Sequence, residues 1–132
     1  MKVRPDKYGE MDAISFECPG CGSTHLVTIN GSRNASNATW GFDGNFDSPT
    51  ITPSINASSE WDDHSALTDE DYGPWVPSAD GKSRGREVKP SSRHKLVHHV
   101  YRCHSFVRAG MIQFLGDCTH KLANHTVPLP DL

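Results

Sequence analysis

Four cysteines constrain this chain more than any other feature. Two form Cys18-Pro19-Gly20-Cys21, and the others, Cys103 and Cys118, bracket a run of strand-forming residues far downstream. The apolar content is only 35 %, against about 45–50 % for a globular domain on a count that includes glycine. A 132-residue chain with so small a core needs a staple. The four thiols supply it either as two disulfides or as one metal site. Met1-Lys2-Val3-Arg4-Pro5-Asp6 shows no apolar leader, and no apolar run reaches the length of a membrane span. The expected compartment is therefore the cytoplasm, where thiols stay reduced and metal is favoured over disulfide. A net charge of −3 with scattered Lys and Arg gives no electrostatic footprint for nucleic acid.

The expected fold is mostly β, a small β or α+β domain with very little helix. Residues 1–12 are polar and read as a loose arm. Ala13 to Glu17 alternates apolar and polar, and His25 to Ile29 is β-rich, so the Cys18–Cys21 turn falls between two strands. Strand, Cys-x-x-Cys turn, strand is the outline of a zinc knuckle. Thr39 to Phe42 reads as a short strand. Ser48 to Ile55 carries two prolines and reads as an edge or irregular extended segment. Lys95 to Phe106 is the strongest strand, turning at Arg108-Ala109-Gly110 into Met111 to Leu115 as a β-hairpin. Thr119 to Asn124 suits one or two helical turns, and Val127 to Pro130 an extended tail. Residues 1–132 read as a single zinc-stabilised domain, with 60–92 as a long loop or insertion within it, held by Trp61, Tyr72 and Trp75.

Cys18, Cys21, Cys103 and Cys118 are the expected metal ligands, and Zn2+ is the expected ion. His25, His104 or His120 could replace one of the later cysteines as a Cys3His set, or hold a second, catalytic zinc. On a regular strand Cys103 and His104 point to opposite faces and do not share an ion. The competing readings are buried free cysteines and a redox Cys-x-x-Cys. The redox pair normally opens a helix, and here β-rich sequence follows it. With the cysteines committed to metal, His104, Ser105, Asp117 and His120 remain as candidate catalytic groups for nucleophilic or general acid–base chemistry. Their bland alternative is strand packing for Ser105, a turn cap for Asp117 and backbone hydrogen bonds for the histidines.

Several motifs together resemble a small family of phage and bacterial proteins of long-unassigned function. They are Cys18-Pro19-Gly20-Cys21-Gly22 with His25, Trp40-Gly41-Phe42-Asp43-Gly44, Pro49-Thr50-Ile51-Thr52-Pro53-Ser54, Cys103-His104-Ser105-Phe106-Val107, and Phe114 to His120 with Val127-Pro128-Leu129-Pro130. Phage members often carry the label "ammonia monooxygenase". That label would call for a copper or di-iron site in a membrane or helical-bundle setting, and neither pattern is present. Relatives resemble components of bacterial operons encoding ubiquitin-like proteins with E1-like and E2-like enzymes. The resemblance implies a peptidase that processes or deconjugates a ubiquitin-like protein. The operon relatives read Cys-x-Ser-His-Phe where this chain has Cys103-His104-Ser105-Phe106, so no role carries over to His104 or Ser105 from them.

Two functions follow as expectations. The first is a zinc-containing small hydrolase acting on a ubiquitin-like protein. The alternative is a non-catalytic zinc-stabilised binding module, for example a phage protein that binds a host factor. Both imply a protein partner, with no nucleic acid and no membrane.

Overall fold

A computed structural model describes residues 1–132. Its elements are ten β-strands and two short 3-10 turns, the mostly β class that the alternating sequence pattern predicts. No helix is long and apolar enough to cross a membrane. The chain divides into two compact units, one made of residues 1–59 and 101–132 and the other of residues 60–100.

The first unit begins with a three-stranded meander of β1 (Arg4–Tyr8), β2 (Met11–Glu17) and β3 (Thr24–Thr28), in that order across the sheet. Residues 4–8 are therefore not a loose arm. They pair with β2 from Arg4↔Ser15 to Tyr8↔Met11, and Val3 just before them is fully buried. Two residues close this hairpin. Gly9 at φ +63° supplies the positive dihedral that a tight hairpin turn requires at its first central position. β2 and β3 pair from Ala13↔Thr28 to Glu17↔Thr24, which leaves Cys18 to Ser23 as the loop at the hairpin tip. Cys18 N–H donates to the Ser23 carbonyl at 2.9 Å, and Gly22 N–H to the Cys18 carbonyl at 2.9 Å.

The second sheet of this unit has the order β10-β9-β8-β5-β4. Its members are β4 (Gly41–Phe42), β5 (Ile51–Asp63), β8 (Val97–Arg108), β9 (Met111–Phe114) and β10 (Thr126–Pro128). The β8–β9 hairpin turns through Ala109 and Gly110, both at positive φ, with register Ser105↔Phe114 to Arg108↔Met111. Phe16, Ile14, Val27, Ile51, Val107, Ile112, Phe114 and Leu129 fill the core. Along β8, Cys103, Ser105 and Val107 are buried while His104 and Phe106 are only half-buried. That period of two is the one expected for a strand with one face on a core. Residues 119–124 form bends and turns and no helix.

Residues 60–100 form the second unit. It contains the ends of β5 and β8, a 3-10 turn Asp69–Asp71, a two-stranded ribbon of β6 (Val76–Pro77) and β7 (Arg84–Gly85), and a 3-10 turn Pro90–Lys95. Buried Asp71 organises it. Its carboxylate accepts from Lys95 Nζ at 2.8 Å, Ser92 Oγ at 2.7 Å and Thr68 N–H at 2.8 Å. The Lys95 contact, then the Thr68 and Ser92 bonds, hold this carboxyl well below the usual carboxylate range. Tyr72, Trp75 and Trp61, the aromatics expected to hold this segment, each pack against a neighbouring side chain within it. Arg86 lies over Tyr72 and Trp75, and Trp61 stacks on His99 at 5.2 Å.

Burial of Val3 makes the N-terminal strand a stability determinant. Val3→Asp places an unpaired charge in the core and should cost at least about 3 kcal/mol in urea unfolding. Tyr8→Ala, at an exposed position of the same strand, should change stability by less than about 0.5 kcal/mol. Equal small effects would return residues 1–8 to a loose arm.

Candidate functional site

Two clusters of reactive side chains lie on opposite sides of β8. On its buried side, Cys18, Cys21, His25 and Cys103 bring their ligand atoms within 4.8 Å of one another. The knuckle loop supplies Cys18 and Cys21, β3 supplies His25 and β8 supplies Cys103. The Cys18 and Cys103 sulfurs are 3.7 Å apart. With Zn–S bonds of about 2.3 Å, two sulfurs of a tetrahedral site lie about 3.8 Å apart. Cys21 Sγ is 3.2 Å from His25 Nε2, slightly inside the spacing that such a site would impose. Three thiols and an imidazole, all aimed inward, form a donor set that suits a soft or borderline divalent ion.

The electrostatics of the cluster point the same way. The Cys103 thiol beside it, assisted by His25 and Cys21, holds Cys18 far below an ordinary thiol. Cys18 in turn pushes Cys103 up, and burial adds to the rise. Burial opposes a charge on His25, but contacts with Cys18 and Cys21 outweigh it, and the imidazole is raised overall. Burial, then the neighbouring Cys21, raises Tyr101. Thiols this close oppose one another's ionisation, a conflict that a bound cation would relieve.

Cys118, expected in the metal set, is elsewhere. Its sulfur accepts the His104 backbone N–H at 3.2 Å and donates to the His104 carbonyl at 3.1 Å. His25, one of the three histidines that could replace a later cysteine, is the fourth member of the cluster. The reason is local. His25 lies on β3 directly after the knuckle, buried beside Phe16, whereas Cys118 lies in the turn after β9 and clips that turn to the backbone of β8.

On the other side of β8 a different line of groups forms. His104 Nδ1 is 3.1 Å from Asp117 Oδ2, and His104 Nε2 is 3.1 Å from Ser54 Oγ. A carboxylate only accepts, so Nδ1 carries the ring proton and Nε2 is free to accept from the Ser54 hydroxyl. Three separate elements supply these groups: β5 gives Ser54, β8 gives His104, and the Leu115–Cys118 turn gives Asp117. The turn is held by Leu115 N–H donating to the His104 carbonyl at 2.9 Å and Cys118 N–H to the Leu115 carbonyl at 3.2 Å. The Trp40 indole N–H donates to the Ser54 carbonyl at 3.1 Å and so anchors the strand at the serine. The His104 and Asp117 side chains are 23 % and 42 % exposed, so the line opens to solvent.

The other two candidate catalytic residues lie outside this line. Ser105 is buried on the core face of β8, opposite Phe114. Alternation along the strand turns it away from His104. His120 packs edge-on against Phe114 at 4.5 Å, and its Nδ1 accepts the Leu122 N–H at 3.2 Å. Its ring lies so close to Gly20 that a Cβ there would sit 2.4–2.9 Å from three ring atoms. His120 therefore fills the space under the knuckle. His25, His104 and His120 do not converge on a common point, and no second metal cluster forms from them.

The family model described as "Bacterial ubiquitination-like system serine protease (BubE)" matches residues 2–115. The chain belongs to the BubE family. The match includes Cys18, Cys21, His25, Ser54, Cys103 and His104, and ends two residues before Asp117. A serine protease family in a ubiquitination-like system agrees with the peptidase resemblance in the sequence. No curated protein and no solved structure matches the chain.

The Gly20–His120 contact is directly testable. Gly20→Ala should cost about 1–3 kcal/mol by overpacking. In a His120→Ala background most of that cost should vanish in a double-mutant cycle. Additive effects would show that the ring does not bear on the knuckle.

Proposed function

We propose that the chain is a serine hydrolase that cleaves peptide or isopeptide bonds at a ubiquitin-like protein, with Ser54 as nucleophile, His104 as general base and acid, and Asp117 as the group that orients His104. The observation that carries this reading is the hydrogen-bonded line Ser54–His104–Asp117, at 3.1 Å on both links. A serine hydroxyl is a weak nucleophile until a positioned base takes its proton, and a third group must hold that base in the right tautomer.

The chemistry follows from those positions. Ser54 Oγ bonds to the scissile carbonyl carbon as its proton passes to His104 Nε2. The imidazolium so formed is stabilised by Asp117 through Nδ1–H. His104 then returns the proton to the departing amine as the carbon–nitrogen bond breaks, leaving an acyl group on Ser54. A water molecule, deprotonated by His104, attacks that ester and releases the acid, and Ser54 recovers its proton. Membership of BubE supports this class of reaction, and the ubiquitination-like setting supports a protein substrate.

The cysteine cluster has a structural part in this reading. Zinc held by Cys18, Cys21, His25 and Cys103 would tie the knuckle to β8 immediately before His104. Four protein ligands would close the coordination of such an ion, which would then supply rigidity and no step of hydrolysis.

Two measurements test the proposal. On a ubiquitin-like precursor with a C-terminal extension, Ser54→Ala should abolish cleavage seen by mass spectrometry. Asp117→Asn should slow it by on the order of 10³- to 10⁴-fold, as loss of the orienting carboxylate does in such triads. Ser105→Ala should retain turnover. Loss of activity in Ser105→Ala with full activity in Ser54→Ala would overturn the assignment. Separately, metal analysis of protein purified without added zinc should give about one equivalent. Cys118→Ser should keep it and His25→Ala should lose most of it. The reverse pattern would restore the four-cysteine set.

A further inference from the structure

The strand that carries Ser54 is left open beside it. β4 pairs with β5 only at Gly41↔Thr52 and Phe42↔Ile51, followed by Asp43 N–H donating to the Thr50 carbonyl at 3.2 Å. In an antiparallel ladder the N–H and C=O of one residue point to the same neighbour, and successive residues alternate between neighbours. Thr50 and Thr52 therefore face β4. Alternation does not carry through the cis Thr52–Pro53 bond, but the Trp40 indole N–H, coming from the β4 side, reaches the Ser54 carbonyl and shows Ser54 facing the same way. Asn56 and Ser58 follow from Ser54 by alternation. Upstream of Gly41 the chain leaves this edge for β3. Trp40 N–H donates to the Thr28 carbonyl at 2.9 Å, and Thr28 Oγ1 to the Ala38 carbonyl at 2.8 Å. Only the Trp40 indole reaches back, to the Ser54 carbonyl. β4 ends the sheet on this side, and no strand pairs with β5 beyond Thr52 there. Asn56 and Ser58 are exposed.

We infer that this edge is the substrate track. An extended, unfolded stretch of polypeptide adds to β5 as a further strand, using the N–H and C=O groups of Asn56 and Ser58, and this draws its scissile bond to Ser54. The inference rests on the hydrolase reading above. The layout of the site favours this occupant over others. His104 on β8 fills the interior side of Ser54, so the serine is the member of the line nearest the open edge. An added strand runs about 4.8 Å from β5, within side-chain reach of Ser54. Main-chain pairing reads an extended backbone and does not accommodate a helix or a compact loop. A flexible tail attached to a folded protein meets that requirement. The same backbone pairing shields an edge that would otherwise recruit unrelated strands.

The test uses two reagents on the full chain. One is ethyl fluorophosphonate, which reports only the reactivity of Ser54. The other is an Ala-Ala-Ala-Gly diphenyl phosphonate, which also needs the track. N-methylating the peptide amides one at a time should slow phosphonate labelling about fivefold per lost bond at alternate positions, with changes under about twofold between them. Asn56→Pro and Ser58→Pro each remove an outward N–H. Both should slow the peptidyl reagent and leave ethyl fluorophosphonate labelling unchanged. Should a proline variant also lose the simple reagent, the methylation series on the unmodified chain decides. Labelling of Ser54 by both reagents, with every methylated peptide within about twofold of the parent, would overturn the track and leave the hydrolase reading standing. Failure of both reagents to label Ser54 would overturn both.

Discussion

The molecule depends on the two-residue period of β8. Because successive side chains on a strand point to opposite faces, Cys103 and His104 are neighbours in sequence but serve different places. Cys103 turns into the core and meets Cys18, Cys21 and His25. His104 turns outward and meets Ser54 and Asp117. A one-residue slip in the pairing of β8 would exchange the two faces. It would put a cysteine beside Ser54 and a histidine into the thiol cluster. The Ala109–Gly110 turn, both residues at positive φ, and the buried row Cys103, Ser105 and Val107 hold that register.

Several contacts then connect the two faces through short stretches of backbone. Cys118, which is not one of the four clustered ligand groups, grips both the N–H and the C=O of His104. It keeps Asp117 in reach of the ring. His120, two residues on, rests on Gly20 inside the Cys18–Cys21 loop. The turn that presents the carboxylate is thus pinned at one end to β8 and at the other to the knuckle. A small chain with few apolar residues secures a reactive geometry in this way, by tying loops to a compact cluster of strong ligands instead of to a large core.

Much of this was legible in the residues. Alternation identified β2, β3 and the β8–β9 hairpin, and it separated Cys103 from His104. Cys-x-x-Cys marked the knuckle. The N-terminal strand was not legible, because Arg4 to Tyr8 is polar and is recruited by pairing and by buried Val3. Ser54 was hidden for a different reason. It lies fifty residues from His104 in a proline-bearing segment, and a hydroxyl has no spacing rule that links it to a distant base. Its trace was the shared motif ending in Pro53-Ser54. The cluster matches the Cys3His alternative with His25 in place of Cys118; His25 follows the knuckle on the same hairpin, a nearness that counting cysteines alone does not weigh.

Long-range proton–nitrogen NMR correlation on zinc-loaded protein labelled at histidine tests the division of labour across β8 most directly. The account predicts that His104 shows a protonated Nδ1 and a bare Nε2 with no metal-induced shift, while His25 shows a metal-bound Nε2. A metal-bound His104, or a His104 protonated at Nε2 and bare at Nδ1, would contradict it.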